Sequence, residues 1–194
     1  MNRGYLMYAI ETMVAEHRQI LRLANTMEQA CVDILDGEQL VTADFRAGID
    51  FIRGYADRHH HGKEEQFLFN EMASRLGPVA EKLIKHGMLS EHNLARYQVG
   101  SLEAALDHYD QQQDTLSKLK ILSHMMAYVD LIRGHIVRED TAVYPFAESK
   151  LPPDILQVID EKTRSFETDV SHAAEAARLL LVLDQLESIY PAKA

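Results

Sequence analysis

The chain has 194 residues, of which 46% are hydrophobic and 26% charged, as is ordinary for a globular protein with its own core. Its formal net charge of -10 argues against a nucleic-acid partner, because contacts to phosphates need a basic surface. The single cysteine, Cys31, excludes a disulfide framework and any zinc or iron–sulfur site built from several thiolates.

Signals for membrane insertion and export are also absent from the sequence. No segment reaches the roughly 18 consecutive apolar residues that a membrane-spanning helix needs. Residues 1–14 contain one arginine but neither a long apolar run nor a small-residue cleavage site. We therefore expect a soluble, cytoplasmic protein without a membrane partner.

Helical periodicity extends along nearly the whole chain, with few glycines and prolines and no long alternation of apolar and polar residues. Stop signals are expected at Asp36-Gly37, Gly77-Pro78 and His86-Gly87. Pro145 is expected in the last turn of the fourth long helix, and Pro152-Pro153 precedes a helical tail. The predicted helices cover residues 8–35, 42–75, 79–85, 88–108, 114–147 and 154–190.

Four long helices with short connections predict an all-α, up-down-up-down four-helix bundle followed by an additional C-terminal helix. The domain prediction assigns residues 1–150 to a di-metal bundle and residues 151–194 to a helical extension. The extension carries an apolar face at Leu179–Leu183 and Leu186. This face is predicted to cover the bundle or to form a homodimer.

An internal repeat with an offset of 75 residues relates the second helix to the fourth. His59–Phe69 (HHHGKEEQFLF) corresponds to 134–144, so that His60 aligns with His135 and Glu64 with Glu139. The same offset carries Glu16-His17 onto Glu91-His92. Two unrelated motifs that share one offset indicate a duplication. In a bundle this duplication predicts a pseudo-twofold axis with matching residues facing each other.

Each half of the repeat supplies one histidine, then a histidine and a glutamate four residues apart on one helix face. An exposed ion pair is the alternative for either pair alone, but both pairs fall on apolar stripes. Buried ionisable groups are rare unless they are paired or bound to metal. Two glutamates could each bridge two ions, leaving open positions that indicate reactivity. The predicted metal ligands are His17, His60, Glu64, His92, His135 and Glu139.

This set of motifs resembles the hemerythrin family, specifically its HHE cation-binding branch, over about residues 8–147. The resemblance implies a four-helix bundle holding two iron ions with an oxo or hydroxo bridge, although zinc or manganese also suits these ligands. It implies that His17, His60, His92 and His135 are terminal ligands. Glu64 and Glu139 would be the bridging carboxylates.

The sequence departs from the oxygen-carrying members in two ways. Met88 and Arg96 occupy the positions where a fifth histidine would accompany His92, and Glu139 and Asp140 both offer a carboxylate for the second bridge. The four-histidine, two-glutamate set is more similar to relatives linked to iron–sulfur repair and nitric-oxide stress.

The expected function is the binding or reduction of a small oxidant, namely oxygen, peroxide or nitric oxide, in oxidative or nitrosative stress. Whether the chain is an enzyme is left open. The alternatives are an oxygen or redox sensor or carrier, an iron donor in iron–sulfur repair, and a structural bundle filled with zinc.

Several further residues receive structural interpretations. One of His59 and His61 is expected to face solvent and the other a neighbouring helix, with His61 and Glu65 as an alternative ligand pair. Glu16 and Glu91 are candidates for contacts to neighbouring ligands. Packing, capping or surface roles are predicted for Tyr55, His86, Tyr97, His108, His124, Tyr128, His172 and the buried thiol of Cys31.

Overall fold

Helical backbone accounts for nearly all of residues 7–191, the part of the chain that the computed structural model describes; within it there are six helices and no strand. Residues 1–6 and 192–194 lie outside the described part, as do the outer ends of the two predicted domains. The helix α1 is Tyr8–Leu35, α5 is Pro153–Thr168 and α6 is Val170–Ile189.

Three of the long helices combine α-helical and π-helical segments. The helix α2 (42–75) comprises Thr42–Phe51, the π-helical Ile52–His61 and Glu64–Phe69, and Asn70–Arg75. The helix α3 (77–111) comprises Gly77–Lys82, the π-helical Leu83–Met88 and Leu89–Gln111. The helix α4 (115–150) comprises Thr115–Arg138, the π-helical Glu139–Val143 and Tyr144–Lys150.

Most of the predicted stops are real and have local causes. Gly37 and Gly77 have φ of 109° and 79°, a left-handed conformation that suits glycine and ends α1 and α2.

Two helices begin at an aspartate that caps them. Asp114 caps the N-terminus of α4, since its carboxylate accepts a hydrogen bond from the Ser117 backbone N–H at 2.7 Å. Asp169 does the same for α6, accepting from the Ser171 N–H at 2.9 Å.

Two predicted stops are wrong, and in both places a π-helical segment carries the chain through. His86-Gly87 lies inside the π-helical part of α3, without a positive φ at Gly87. Pro145 is followed by five further helical residues of α4. Proline lacks an N–H and crowds the carbonyl four residues earlier, so it fits where a π-helical segment already interrupts the regular hydrogen-bond ladder.

The bundle is formed by α1 to α4, with α1 against α2 and α4, and α3 against α2 and α4. The predicted all-helical class is confirmed, and the C-terminal extension consists of two helices. The extension lies along α1 and α2. The α6 side chains Leu179, Leu183 and Leu186 are buried in the core shared with the bundle, so this apolar face covers the bundle. A homodimer stays an untested prediction.

Two apolar clusters fill the interior, and ionisable side chains separate them. Along α1, Met13 belongs to one cluster and Ile20 to the other, with His17 between them. Along α3, Met88 and Ala95 flank His92 in the same way. Each long helix therefore contributes polar residues at one common level. Between residues 7 and 191, no helix has the length and apolar character needed to cross a bilayer.

Candidate metal centre

The structure brings all six predicted ligand residues together at the level between the two apolar clusters. They are buried, and they fall into two groups whose donor atoms lie within 4.8 Å of one another. Glu64 belongs to both groups, which therefore form one continuous centre. The first group is His17, His60, Glu64 and Glu139, and the second is His61, Glu64, His92 and His135.

His61 is the residue that the repeat did not identify. Both His59 and His61 are buried, so the expectation that one of them faces solvent is wrong. The His61 ring stacks on His92 of α3, with centroids 3.8 Å apart. The π-helical segment Ile52–His61 places the neighbours His60 and His61 in different donor groups. The alternative pairing of His61 with Glu65 is not formed, since Glu65 contacts His92 and Arg96.

A carboxylate lies against the Nδ1 atom of each of the four predicted histidines, with the pattern repeated by the 75-residue offset. His60 donates to Glu16 at 2.8 Å, as its mate His135 donates to Glu91 at 2.7 Å. The other two donors are His17 to Asp140 and His92 to Glu65, each at 2.8 Å. Such contacts fix the ring and leave Nε2 for another partner. The contacts expected of Glu16 and Glu91 are therefore present.

His61 makes a longer contact of the same kind through Nδ1, whereas His59 contacts carboxylates through Nε2. The Nδ1 atom of His61 is 3.4 Å from the Asp57 carboxylate, and its Nε2 atom has no hydrogen-bond partner. In His59 it is Nε2 that contacts carboxylates, Glu16 at 3.1 Å and Glu167 at 3.3 Å. His61 therefore presents its Nε2 to the centre, whereas His59 directs its Nε2 to the network outside it.

Glu139 spans both donor groups. One of its carboxylate oxygens is 3.2 Å from His17 Nε2, and the other is 3.0 Å from His135 Nε2. Glu64 places Oε2 3.7 Å from His60 Nε2 and 3.5 Å from His92 Nε2. Asp140, the other candidate for the second bridge, is partly exposed and holds His17 Nδ1 instead. The geometry thus favours Glu139 over Asp140 as the mate of Glu64.

The phenol of Tyr144 also reaches the centre. Its hydroxyl donates to Glu64 Oε1 at 2.6 Å and lies 3.4 Å from His17 Nε2. Its ring stacks on His17 with centroids 5.6 Å apart. The repeat aligned Tyr144 with Phe69, and that substitution of a hydroxyl-bearing ring for an apolar one was the available sequence signal.

The buried polar atoms of the centre are under-satisfied by protein groups. Among the described residues, buried side-chain atoms without a hydrogen bond include Nε2 of His60 and His61, Oε2 of Glu64 and both carboxylate oxygens of Glu139. Buried groups in this condition are costly unless a cation compensates them. Histidine nitrogens and carboxylate oxygens are also the donors that transition metals accept. The residues present therefore fit a metal site.

The two central carboxylates have opposite pKa shifts. Burial raises the pKa of Glu64 well above its ordinary range, and the nearby charge of Glu139 adds to the effect. Burial acts in the same direction on Glu139, but the adjacent rings of His135, His17 and His92 favour its charged form, outweigh burial and hold its pKa low. In the metal-free protein, Glu64 therefore holds a proton more tightly than Glu139 does.

The histidines divide in a similar way. Burial lowers the pKa of His60 to about 4, and burial together with the neighbouring His92 lowers the pKa of His61 well below its ordinary value. Burial also disfavours the charged form of His135, but Glu139 and Glu91 raise its pKa to about 9. His60 and His61 are therefore neutral at pH 7, the form in which histidine binds a metal.

A second cluster beside the centre already contains a cation of the protein. Glu16, His59 and Glu167 converge, and the Lys63 ammonium lies among them, bonded to both carboxylates. Lys63 is fully buried. In this network Lys63 lies where a metal ion could otherwise bind between Glu16 and Glu167. Glu16 also accepts the hydrogen bond that holds His60.

A cavity of about 200 Å³ extends from the centre between α2, α3 and α4. His61 and His92 border it at one side, and Ala95, Val99 and Tyr128 form its walls. The Tyr128 hydroxyl is buried without a hydrogen-bond partner. Tyr128 therefore packs in the core, as expected, and also forms a wall of this cavity.

The other interpreted residues lie away from the donor groups. The His124 ring pairs with Gln98 at 2.9 Å, and Cys31 and Tyr55 are buried in the core. Exposed positions are occupied by His86, Tyr97, His108 and His172.

Comparisons with known proteins agree with this geometry. The family model of the hemerythrin HHE cation binding domain matches residues 8–147, more than half of the chain. No curated protein and no solved structure is significantly similar to the chain. The match ends within α4, so it covers every donor residue of the two groups and leaves out α5 and α6. The chain belongs to the hemerythrin HHE cation-binding family.

Proposed function

We propose that the chain holds two iron ions and uses them to bind or reduce a small oxidant, namely oxygen, peroxide or nitric oxide. One ion would be held by His17 and His60, the other by His61, His92 and His135, with Glu64 and Glu139 shared. The observation that carries the proposal is the convergence of buried histidine Nε2 atoms and carboxylate oxygens, several of which lack a hydrogen-bond partner.

The two halves of this proposed centre offer unequal numbers of donors. Three histidines and two shared carboxylates would hold one ion, while two histidines and the same carboxylates would hold the other. His61 would take the place of the fifth histidine that is missing at the spacing seen in oxygen carriers. An ion at His17 and His60 would then have fewer protein ligands, and open positions are typical of a reactive rather than a structural site.

Bound iron would supply Lewis acidity and one electron per ion. The protein would supply orientation. Tyr144 holds Glu64 through a 2.6 Å hydrogen bond and lies 3.4 Å from His17 Nε2, so its hydroxyl fixes the carboxylate on the His17 side of the centre. The apolar clusters above and below exclude bulk water from the centre.

The cavity that borders His61 and His92 limits the size of the ligand. Its volume of about 200 Å³ accommodates a diatomic molecule or peroxide. Arg96 stands at this cavity, with its guanidinium bonded to Asp57 and Glu65 at 2.7 Å. We infer that small neutral molecules reach the centre by this route.

The test is to mix the anaerobically reduced, iron-loaded protein separately with oxygen, hydrogen peroxide and nitric oxide. We expect a change in the visible spectrum with at least one of them, and turnover if the protein is an enzyme. A spectral change without turnover for all three oxidants would support a binding function and contradict an enzymatic one. No spectral change with any of them would contradict the function itself.

A sensor or carrier of oxygen or redox state is the second candidate. Glu167 of α5 joins the network that holds His60, so the extension contacts the surroundings of the centre. Reversible oxygen binding that persists over repeated cycles would favour this role. Irreversible oxidation in the first cycle would count against it.

A further inference from the structure

The two halves of the centre are related by the 75-residue repeat, but their outer contacts differ. In one half, Glu91 holds His135 and also accepts from Arg138 at 2.7 Å. The offset carries Arg138 back to Lys63, which contacts Glu16 in the other half. The Arg138 side chain is 47% exposed, whereas that of Lys63 is 0% exposed. The same internal ion pair is thus open to solvent on one side and closed on the other.

The C-terminal extension closes the Lys63 side. Glu167, near the end of α5, binds the Lys63 ammonium and lies 3.3 Å from His59 Nε2. The neighbouring Phe166 ring lies 5.4 Å from Lys63 Nζ and 5.2 Å from the His59 ring. These residues form a continuous chain of contacts from the extension to His60, through Lys63 and Glu16.

We propose that Glu167 is a positioning residue for the metal ion at His17 and His60, a role that rests on the proposed two-ion centre. Glu167 belongs to neither donor group of the centre. It completes the shell of Lys63, whose other carboxylate partner, Glu16, fixes the His60 ring through Nδ1. Groups that orient a metal-bound histidine commonly change metal affinity by about 10–100-fold when removed.

The physical reason is that Lys63 is buried and needs both carboxylates. Without Glu167, a buried ammonium retains Glu16 as its one anionic partner, and Glu16 must then serve Lys63 at the expense of His60. The His60 ring would lose its fixed orientation. In the other half, Glu91 pairs with His135 and Arg138, which belong to α4 and not to α5, so an ion at His61, His92 and His135 would keep its surroundings.

The test measures release of each ion from the iron-loaded protein to a chelator, for the wild type, Glu167→Gln and Glu167→Asp. Glu161→Gln is the control, because Glu161 lies on the exposed face of α5 and pairs with Gln157. We expect Glu167→Gln to speed release of one ion about 10–100-fold and to leave the other unchanged. Glu167→Asp should recover part of the loss, and Glu161→Gln should match the wild type.

Anomalous X-ray scattering from partly depleted crystals identifies the half that has lost its ion, which we expect to be the one at His17 and His60. Wild-type release rates for both ions in Glu167→Gln would overturn the proposal. Equal acceleration of both ions would also overturn it, since that result indicates general loosening. A wild-type chain that binds fewer than two ions would instead refute the two-ion centre itself.

Discussion

At the scale of single residues, the centre depends on which nitrogen of each histidine is already engaged. Four histidines give Nδ1 to a carboxylate at 2.7–2.8 Å and so turn Nε2 inward. His61 joins them with a longer contact to Asp57, and His59 does the opposite. Residue type alone does not separate His59 from His61, but this orientation does.

The ligand role of His61 is tested by His61→Ile, which installs the residue found at the matching repeat position, the buried Ile136. Loss of one nitrogen donor should lower the affinity for one of the two ions by at least about 10-fold, measured by anaerobic iron(II) titration of the metal-free protein. His124→Ile is the matched control, since His124 pairs with Gln98 away from the centre. If His61→Ile binds two ions with wild-type affinity, His61 is not a ligand and the four histidines predicted from the sequence are the complete set.

The thiol of Cys31 offers a pH-dependent test of the core. Burial raises its pKa to about 12, above the roughly 8.5 of an exposed thiol. Because the thiolate is the reactive form, alkylation of the native protein should be slow and should keep rising about tenfold per pH unit from pH 7 to pH 10, all of which lies below this pKa. In denaturant the rate should be faster and should level off above the exposed-thiol pKa. A native rate that levels off near that same pKa would show that Cys31 is accessible.

At the scale of elements, α2 is the helix on which both the centre and the extension depend. Its π-helical segments carry His60, His61 and Glu64, and its outer face carries the close approach of α6 at Gly54. A Cβ added at Gly54 would lie 2.4 Å from the Leu179 side chain. Glycine is therefore required there by packing rather than by a turn.

Replacing Gly54 by alanine should destabilise the protein. Overpacking costs about 1–3 kcal/mol, which exceeds the roughly 0.8–1 kcal/mol gained in helix propensity. Gly100→Ala is the control, because a Cβ there meets nothing within 4 Å and should stabilise α3 by about 0.5–1 kcal/mol. Chemical denaturation measures both. Equal stabilisation in the two variants would contradict the packing of α6 on α2.

At the scale of the whole molecule, helix periodicity and stop residues were sufficient to predict the bundle. The boundaries of α1 and α2 agree with the prediction because Gly37 and Gly77 end them through backbone conformation. The helix ends expected at His86-Gly87 and Pro145 are wrong, because π-helical segments at or next to these residues let the helix continue. Such segments depend on tertiary packing and leave no clear periodic signal.

The candidate centre was predictable in part for a related reason. The repeat identifies residues that have a mate in the other half, which is how it selected His60, Glu64 and their partners. His61, Lys63 and Glu167 break that symmetry. The residue that corresponds to His61 in the other half of the repeat is Ile136, and Glu167 comes from an element outside the repeat. Contacts of this kind require the folded chain.

Metal binding should contribute strongly to the stability of the whole chain, because several of the buried donor atoms have no hydrogen-bond partner. A ligand present at about 1,000 times its Kd stabilises the native state by roughly 4 kcal/mol, which for a chain of this size corresponds to a Tm difference of roughly 10 °C. Thermal unfolding with and without a chelator measures this, and readdition of iron should restore the Tm. An unchanged Tm would contradict the presence of a metal site at these residues.

The two-iron centre is tested most directly by the metal content of protein purified from cells without added metal, measured together with its visible spectrum. We expect two iron ions per chain and the absorption of an oxo-bridged di-iron centre, with both lost in a Glu64→Gln, Glu139→Gln double variant. One ion per chain, or zinc with a featureless spectrum, would contradict a two-iron centre.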